Sequence, residues 1–120
     1  MLFKGSIPAV ITPFDSKSQI DYDDLANHIE FLITEGSHGL VSCGTTGESP
    51  TLDYDEHKNV TEFIVNQAKG RVPVMAGCGS NSTKESIDLE HEVATIIERQ
   101  ISYGFKIDIE KAHLLLARLQ

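Results

Sequence analysis

Residues 39–49 read Gly-Leu-Val-Ser-Cys-Gly-Thr-Thr-Gly-Glu-Ser, a short apolar run followed directly by a turn rich in glycine and hydroxyl side chains. Similar apolar runs occupy residues 6–12 (SIPAVIT) and 72–77 (VPVMAG), and successive runs start 33 residues apart. An amphipathic stretch of helical period follows each run. Such alternation indicates parallel βα units whose strands are covered on both faces. The spacing therefore predicts an α/β fold, the N-terminal portion of a (β/α)8 TIM barrel with about three βα units.

Capping residues and apolar spacing predict the first two helices. The first begins after Asp21, whose carboxylate can cap it, and ends at Gly36. The second begins after Asp53, has Glu56 at the capping-box position and ends at Gly70. Apolar residues at helical spacing are expected to face the core: Leu25, Ile29, Leu32 and Ile33 in the first helix, and Val60, Ile64 and Ala68 in the second.

The third helix and the tail complete the predicted organisation. The helix opens at Ser82 or Thr83 and runs toward Gln100, and its expected core face consists of Ile87, Ala94, Ile97 and Ile101. Residues 105–109 (FKIDI) alternate with period two and begin 33 residues after the third apolar run, which suits a fourth strand. Residues 109–119 have a helical period, and a helix from Ile109 is favoured.

Residues 1–120 are predicted to form a single incomplete barrel segment. Closure of a (β/α)8 barrel takes eight strands and about 200–250 residues. The edges of the predicted strands would therefore stay open, and open edges recruit other chains. We expect the chain to behave as a homo-oligomer or an aggregate.

Composition and charge exclude several classes of protein. The net charge of -8, with only ten Lys and Arg, argues against a nucleic-acid or membrane-surface partner. No apolar run approaches the roughly 18–20 residues that span a bilayer, and the first residues do not resemble a signal peptide, so we expect a cytoplasmic protein. Cys43 and Cys78 form no CxxC pair, and the five histidines lack metal-ligand spacing, so no metal site is expected.

Residues 43–49 and 77–82 are the segments that could carry chemistry. In the first, two glycines permit close backbone approach, and successive amides and hydroxyls can surround a carboxylate. The alternative is a turn that merely leads into the next helix. The second (GCGSNS) is similar to a dinucleotide fingerprint, but Ser82 occupies the place of the third glycine, so a tight turn that caps the third helix is favoured over nucleotide binding.

A collinear set of short segments carries the most specific signal in the sequence: residues 3–7 (FKGSI), 12–14 (TPF), 44–49 (GTTGES), 56–58 (EHK), 70–74 (GRVPV), 76–77 (AG) and 79–83 (GSNST). In order and spacing, through about Ile87, these segments resemble the dihydrodipicolinate synthases. The wider family of pyruvate-dependent aldolases, including sialic-acid lyase, shares the GTTGE loop, whereas residues 79–83 and His57 favour the synthase.

The resemblance implies a lyase of lysine (diaminopimelate) biosynthesis that uses no bound cofactor. In this family pyruvate forms a Schiff base with a lysine, and the enamine attacks aspartate semialdehyde. Thr45 would be the hydroxyl of a proton relay, and Thr46, with Gly47, would hold the pyruvate carboxylate. In members regulated by lysine, the allosteric pocket draws on the positions of Ser49, Pro50, Tyr54, His57, Asn81 and Glu85.

The sequence also departs from the family pattern. Tyr54 stands where some members carry histidine, and Pro50 stands where alanine is usual. Residues 88–120 show neither the Thr-Pro-Tyr-Tyr type motif with the relay tyrosine nor the Schiff-base lysine, and they are expected to be a tail that departs from the family. A truncation, a change of reading frame or a sequence made for expression would each explain this.

Two hypotheses follow from these departures. In the first, the chain is a fragment or altered reading of a family enzyme, and the 120-residue molecule itself has no synthase activity. In the second, it is a non-catalytic module that binds an oxo acid or amino acid, or assembles with copies of itself. A nucleotide-binding βα protein is a third hypothesis.

Overall fold

Three helices and two short strands make up residues 3–102, the part of the chain that the computed structural model describes; side chains are described through residue 98. Two 3-10 turns lie between the first strand and the second helix. In chain order the elements are α1 (Tyr22–Thr34), β1 (Leu40–Ser42), the turns Thr45–Gly47 and Ser49–Thr51, α2 (Tyr54–Ala68), β2 (Val74–Ala76) and α3 (Thr83–Ser102).

The strand β1 lies in the middle of a parallel arrangement. It pairs in parallel with β2, with Val41 opposite Met75. On its other side, the run of residues 6–12 forms one parallel bridge, between Ala9 and Val41, and Val10 N–H donates to Val41 O at 2.9 Å. The predicted parallel order is confirmed, but the first run pairs through a bridge rather than a regular strand. Pro8 has no N–H to extend this ladder.

The predicted N-caps of α1 and α2 are confirmed. The Asp21 carboxylate accepts hydrogen bonds from the N–H groups of Asp23 and Asp24 at 3.1 and 3.0 Å. Asp53 and Glu56 form a complete capping box, in which each carboxylate accepts from the other's backbone N–H at 2.8 and 2.9 Å. These bonds satisfy amides that have no partner inside a helix.

The remaining helix ends follow the same local rules. Gly36, with φ +90°, follows α1, and Gly70, with φ +69°, follows α2. Between α2 and Gly70, Lys69 is itself the left-handed C-cap. Of the two candidates for the start of α3, Ser82 is the cap, because its Oγ accepts from Glu85 N–H at 3.3 Å.

The helices cover one face of the strands and form the core with them. Every predicted core residue of α2 is buried, as are Leu25 and Ile29 of α1, while Leu32 and Ile33 are half-buried at the core's edge. The buried residues named in the predictions are Leu25, Ile29, Val60, Ile64 and Ala68.

The predicted core face of α3 is wrong for Ile87 and Ala94. Ile87 is 49% exposed and Ala94 is exposed, whereas Ile97 is half-buried and packs against the core. The side chain of Ile101 lies outside the described residues. The helical period is retained, but α3 packs on α2 and β2 through a neighbouring face. Contacts with another element therefore decide which of two apolar faces is buried. The residues on that buried face are Leu89, Val93 and Ile96.

The face of the strands that points away from the helices is open in the described residues. Ile11 is 45% and Met75 is 43% exposed, and Val41 between them is half-buried. Val10, on the opposite face, is fully buried against the helices. Continuous apolar runs are expected for strands that are packed against other elements on both faces. Within the described residues, helices cover only one face.

The two predictions for the tail, a fourth strand at 105–109 and a helix from Ile109, lie outside the described residues. The limits of the incomplete barrel segment and of its tail stay predictions. Among the helices within residues 3–102, none has the length and apolar character needed to cross a bilayer.

An ion pair joins α1 to the segment that leads from α2 into β2. The Arg71 guanidinium donates to both carboxylate oxygens of Glu30, at 2.8 and 2.6 Å, and Gln67 Nε2 donates to the same carboxylate at 2.9 Å. Arg71 also donates to the carbonyls of Gln67 and Ala68 near the end of α2. The hydrogen bonds from Arg71 and then Gln67 lower the pKa of Glu30 from 4.5 to about 2.

Glu30→Gln should remove a pH-dependent part of the stability. A carboxylate whose pKa is lowered by folding stabilises the native state above about pH 4.5, and this contribution disappears as the pH falls toward about 2. Urea midpoints measured across that range should fall less steeply for the variant than for the parent chain. Because the Glu30 side chain is 43% exposed, added salt should shrink the difference. The matched control is Glu35→Gln, and equal slopes for Glu30→Gln and the parent chain would contradict the assignment.

Candidate functional site

Two loops follow the carboxyl ends of the parallel strands. The Thr-Thr loop, residues 44–49, follows β1, and the Ser-Asn loop, residues 77–82, follows β2. Because the strands are parallel, both loops emerge at the same edge, which is where sites form in βα barrels. They border a cleft of about 540 Å³ together with α2 and the start of α3. Of the residues singled out from the sequence, Thr45, Ser49, Pro50, His57, Asn81 and Glu85 line this cleft.

Three of the residues singled out lie elsewhere. Thr46 and Gly47 belong to the Thr-Thr loop but do not line the cleft, and Tyr54, in the first turn of α2, does not line it either. The structure thus places Thr45 beside most of the positions named for lysine regulation. Thr45 lines the cleft, whereas its neighbour Thr46 does not.

The Thr-Thr loop is a single 3-10 turn followed by a left-handed residue, Glu48, with φ +56°. Within the turn, Gly47 N–H donates to Gly44 O and Glu48 N–H donates to Thr45 O, each at 3.0 Å. The Thr45 and Thr46 side chains are exposed, and neither hydroxyl hydrogen-bonds to any residue in the described part of the chain. Two hydroxyls are therefore open to a ligand, whereas the Gly47 amide already has an acceptor.

The Thr-Thr loop is fastened to the first apolar run from behind. The buried Thr12 hydroxyl donates to Gly47 O at 2.8 Å. A Cβ on Gly47 would lie 2.9 Å from Val10 O, so the run approaches this residue more closely than a side chain permits. Sequence reasoning treated Thr12 as a family marker and missed this contact. No local signal points to it, since the partners are 35 residues apart.

His57 joins α2 to the Ser-Asn loop. Its side chain is 4% exposed, and Nε2 lies 2.6 Å from Gly77 O. A carbonyl oxygen only accepts, so Nε2 carries the proton in this bond. The resemblance named His57 as a marker of the synthase and as a position of the lysine pocket, and the structure shows that it is packed and holds the beginning of a loop. A Cβ on Gly77 would lie 2.5 Å from Cys43 O, which makes this junction tight.

The Ser-Asn loop is organised by hydroxyl groups and one carboxylate. Ser80 Oγ donates to the Glu85 carboxylate of α3 and accepts from Ser82 N–H at 3.2 Å. Ser80 N–H donates to Ser86 Oγ at 3.0 Å. The Glu85 carboxylate thus lines the cleft, and one of its oxygens holds the loop.

Both cysteines are free, and Cys43 is buried at the end of β1. Burial raises the pKa of the Cys43 thiol to about 11, a hydrogen bond from Thr61 opposes the shift, and nearby Cys78 adds to it. The thiol is therefore protonated at neutral pH and is not a nucleophile. Within residues 3–102 no three or more His, Cys, Asp or Glu side chains come together to hold a metal ion.

Comparison with known proteins places these loops in a family. The model of the dihydrodipicolinate synthetase family matches residues 2–96, most of the chain. The chain belongs to this family. The 4-hydroxy-tetrahydrodipicolinate synthases of Rhizobium meliloti and Methanocaldococcus jannaschii are 58% and 54% identical to it over 88 residues, which are 73% and 73% of this chain. The family match extends past Ile87 and so includes most of α3.

Solved structures of the family show the same fold over this region. Dihydrodipicolinate synthase from Aquifex aeolicus superimposes with a TM-score of 0.74 at 47% identity, over 78% of this chain and 32% of that one. The enzyme from Acinetobacter baumannii, solved in complex with pyruvate, gives a TM-score of 0.74 at 38% identity, over 77% and 32%. The predicted α/β fold, part of a TIM barrel, is confirmed. The chain spans about 30% of the length of the first curated relatives it matches.

Gly47→Ala should destabilise the fold, since its Cβ would meet the Val10 carbonyl at 2.9 Å. Crowding of this kind costs about 1–3 kcal/mol. Gly79→Ala is the matched control: this residue lies in the other loop with nothing within 4 Å of its Cβ position, and it should change stability by less than about 0.5 kcal/mol. Urea unfolding of the two variants measures both effects. Equal losses would mean that the Thr-Thr loop does not press on the first apolar run.

Proposed function

We propose that the chain carries the substrate-carboxylate loop of a 4-hydroxy-tetrahydrodipicolinate synthase, the lyase of lysine (diaminopimelate) biosynthesis that joins pyruvate to aspartate semialdehyde. The observation that carries the proposal is the Thr-Thr loop itself. It lies at the carboxyl end of a central parallel strand and exposes two adjacent hydroxyls that have no partner among the described residues. Relatives named as this synthase support it over sialic-acid lyase.

Each loop residue has a role in this proposal. Thr45 relays protons, because a hydroxyl both donates and accepts. Thr46 holds the pyruvate carboxylate through its hydroxyl and amide. Gly47 contributes by having no side chain, since its N–H already donates to Gly44 O. In this proposal Gly47 lets the turn pack closely and does not itself hold the pyruvate carboxylate.

A second element of the proposal is a lysine-binding cleft. Ser49, His57, Asn81 and Glu85 line one cleft, and the Glu85 carboxylate there can accept from an ammonium group. Tyr54 lies outside the lining, so we propose lysine binding without it. Two free cysteines suit a reducing compartment, and the cytoplasm remains our proposed location.

The 120-residue chain itself should form no Schiff base with pyruvate. The covalent step joins the substrate carbonyl carbon to a lysine amine, and neither Lys106 nor Lys111 matches the family's lysine position. Borohydride treatment with pyruvate should leave the chain's mass unchanged, and no turnover with aspartate semialdehyde should be measurable. A matched reaction with a full-length relative supplies the positive control. A reduced adduct on Lys106 would overturn this part and establish an enzyme.

We also propose that copies of this chain associate through the open strand face. Ile11 and Met75 are exposed on that face, and the edge of β2 away from β1 has no partner strand within residues 3–102. Exposed apolar faces and unpaired edges both favour association. The alternative hypothesis, a non-catalytic module that assembles with copies of itself, also requires association through this surface.

Met75→Lys should therefore reduce association. Light scattering of the parent chain should give a mass well above the 13.2 kDa monomer, and the variant should shift toward that value. Phe31→Lys is the matched control, because Phe31 is 59% exposed but lies on α1, away from the strand face. A monodisperse parent monomer, or an equal effect of both variants, would refute association through this face.

A further inference from the structure

Behind the Thr-Thr loop, a single buried hydroxyl contacts the turn that carries Thr45 and Thr46. Thr12 is 4% exposed, and its Oγ1 donates to Gly47 O at 2.8 Å. Gly47 is the last residue of the 3-10 turn and is buried. The bond thus connects the turn to a segment 35 residues earlier in the chain.

A second contact makes this attachment directional. Val10 O, two residues before Thr12, faces the Cα of Gly47 closely enough that a Cβ would lie at 2.9 Å. Val10 is itself fixed, because its N–H donates to Val41 O on β1 at 2.9 Å. The first apolar run is therefore bonded to β1, and it also contacts the 3-10 turn that follows β1.

The front of the same turn has no comparable restraint. Neither the Thr45 nor the Thr46 hydroxyl has a partner within the described residues, and both side chains are exposed. The turn's own bonds, Gly47 N–H to Gly44 O and Glu48 N–H to Thr45 O, fix its shape but not its direction relative to the strands. The contacts at Gly47 connect the turn to the first apolar run.

We propose that Thr12 is a positioning residue for the Thr-Thr loop: its hydroxyl, bonded to Gly47 O, sets the orientation in which Thr45 and Thr46 meet an oxo-acid carboxylate. This role rests on the function proposed above for the loop. Loss of the hydroxyl leaves a buried carbonyl without its donor, and the turn must move to find water. Such movement costs ligand binding, because a binding site depends on a preset geometry.

Amide exchange and pyruvate titration, both followed by NMR on the full chain, test the proposal. Thr12→Val keeps the shape and removes the hydroxyl. It should speed exchange of the Gly47 and Glu48 amides about tenfold relative to amides of α1. It should also raise the Kd for pyruvate, measured from the chemical shifts of the Thr-Thr loop amides, by about fivefold or more.

The control variants separate positioning from general destabilisation. Thr61→Val also removes a fully buried hydroxyl, one that bonds to Ser42 and Cys43. This variant should not selectively accelerate amide exchange at Gly47 and Glu48. Thr12→Ser should retain the parent's exchange and pyruvate response. If Thr12→Val does not fold, Thr12→Ser and Thr12→Ala differ only in the hydroxyl and give the same comparison.

The outcomes of the two arms are distinct. Selective acceleration in Thr12→Val, rescued in Thr12→Ser, supports positioning even if pyruvate does not bind. Absence of pyruvate shifts in the parent chain, or an unchanged response in Thr46→Val, refutes the proposed function of the loop instead. Equal exchange in Thr12→Val and the parent chain, or equal loss in Thr12→Ser and Thr12→Ala, overturns the role of Thr12.

Discussion

Backbone hydrogen bonds on both sides of β1 hold the described structure together. On one side Val10 N–H donates to Val41 O, and on the other Gly77 N–H donates to Ser42 O, each at 2.9 Å. These bonds make the neighbouring chain segments parallel to β1, and parallel segments place their following loops at one edge. The cleft and the Thr-Thr loop exist at that edge for this reason. The helices then bury one face of the strands without covering the site.

Features that leave a local or a periodic pattern in the sequence were predictable. The carboxylates of Asp21 and Asp53 cap helices whose first amides are two or three residues away, and the 33-residue spacing gave the parallel order. The core face of α3 was not predictable in the same way. Ile87 and Leu89 are equally apolar, and packing on α2 and β2, which the sequence pattern does not contain, buries Leu89.

The candidate site divides along the same line. Its position after β1 and the identity of the Thr-Thr loop follow from the sequence and from the family resemblance. The contacts that hold it do not, because Thr12 reaches Gly47 across 35 residues and His57 reaches Gly77 across 20. Long-range hydrogen bonds of this kind have no periodic signature. The sequence therefore identifies the loop but does not reveal the hydrogen bonds that hold it in place.

Scalar couplings across hydrogen bonds test the central arrangement most directly, since they report a donor and its acceptor together. In the isotope-labelled chain, couplings should link the amide nitrogen of Val10 to the carbonyl carbon of Val41, and that of Gly77 to Ser42. Both amides should exchange slowly with solvent. Absent couplings together with fast exchange at Val10 and Gly77 would contradict a central β1 paired in parallel on both sides.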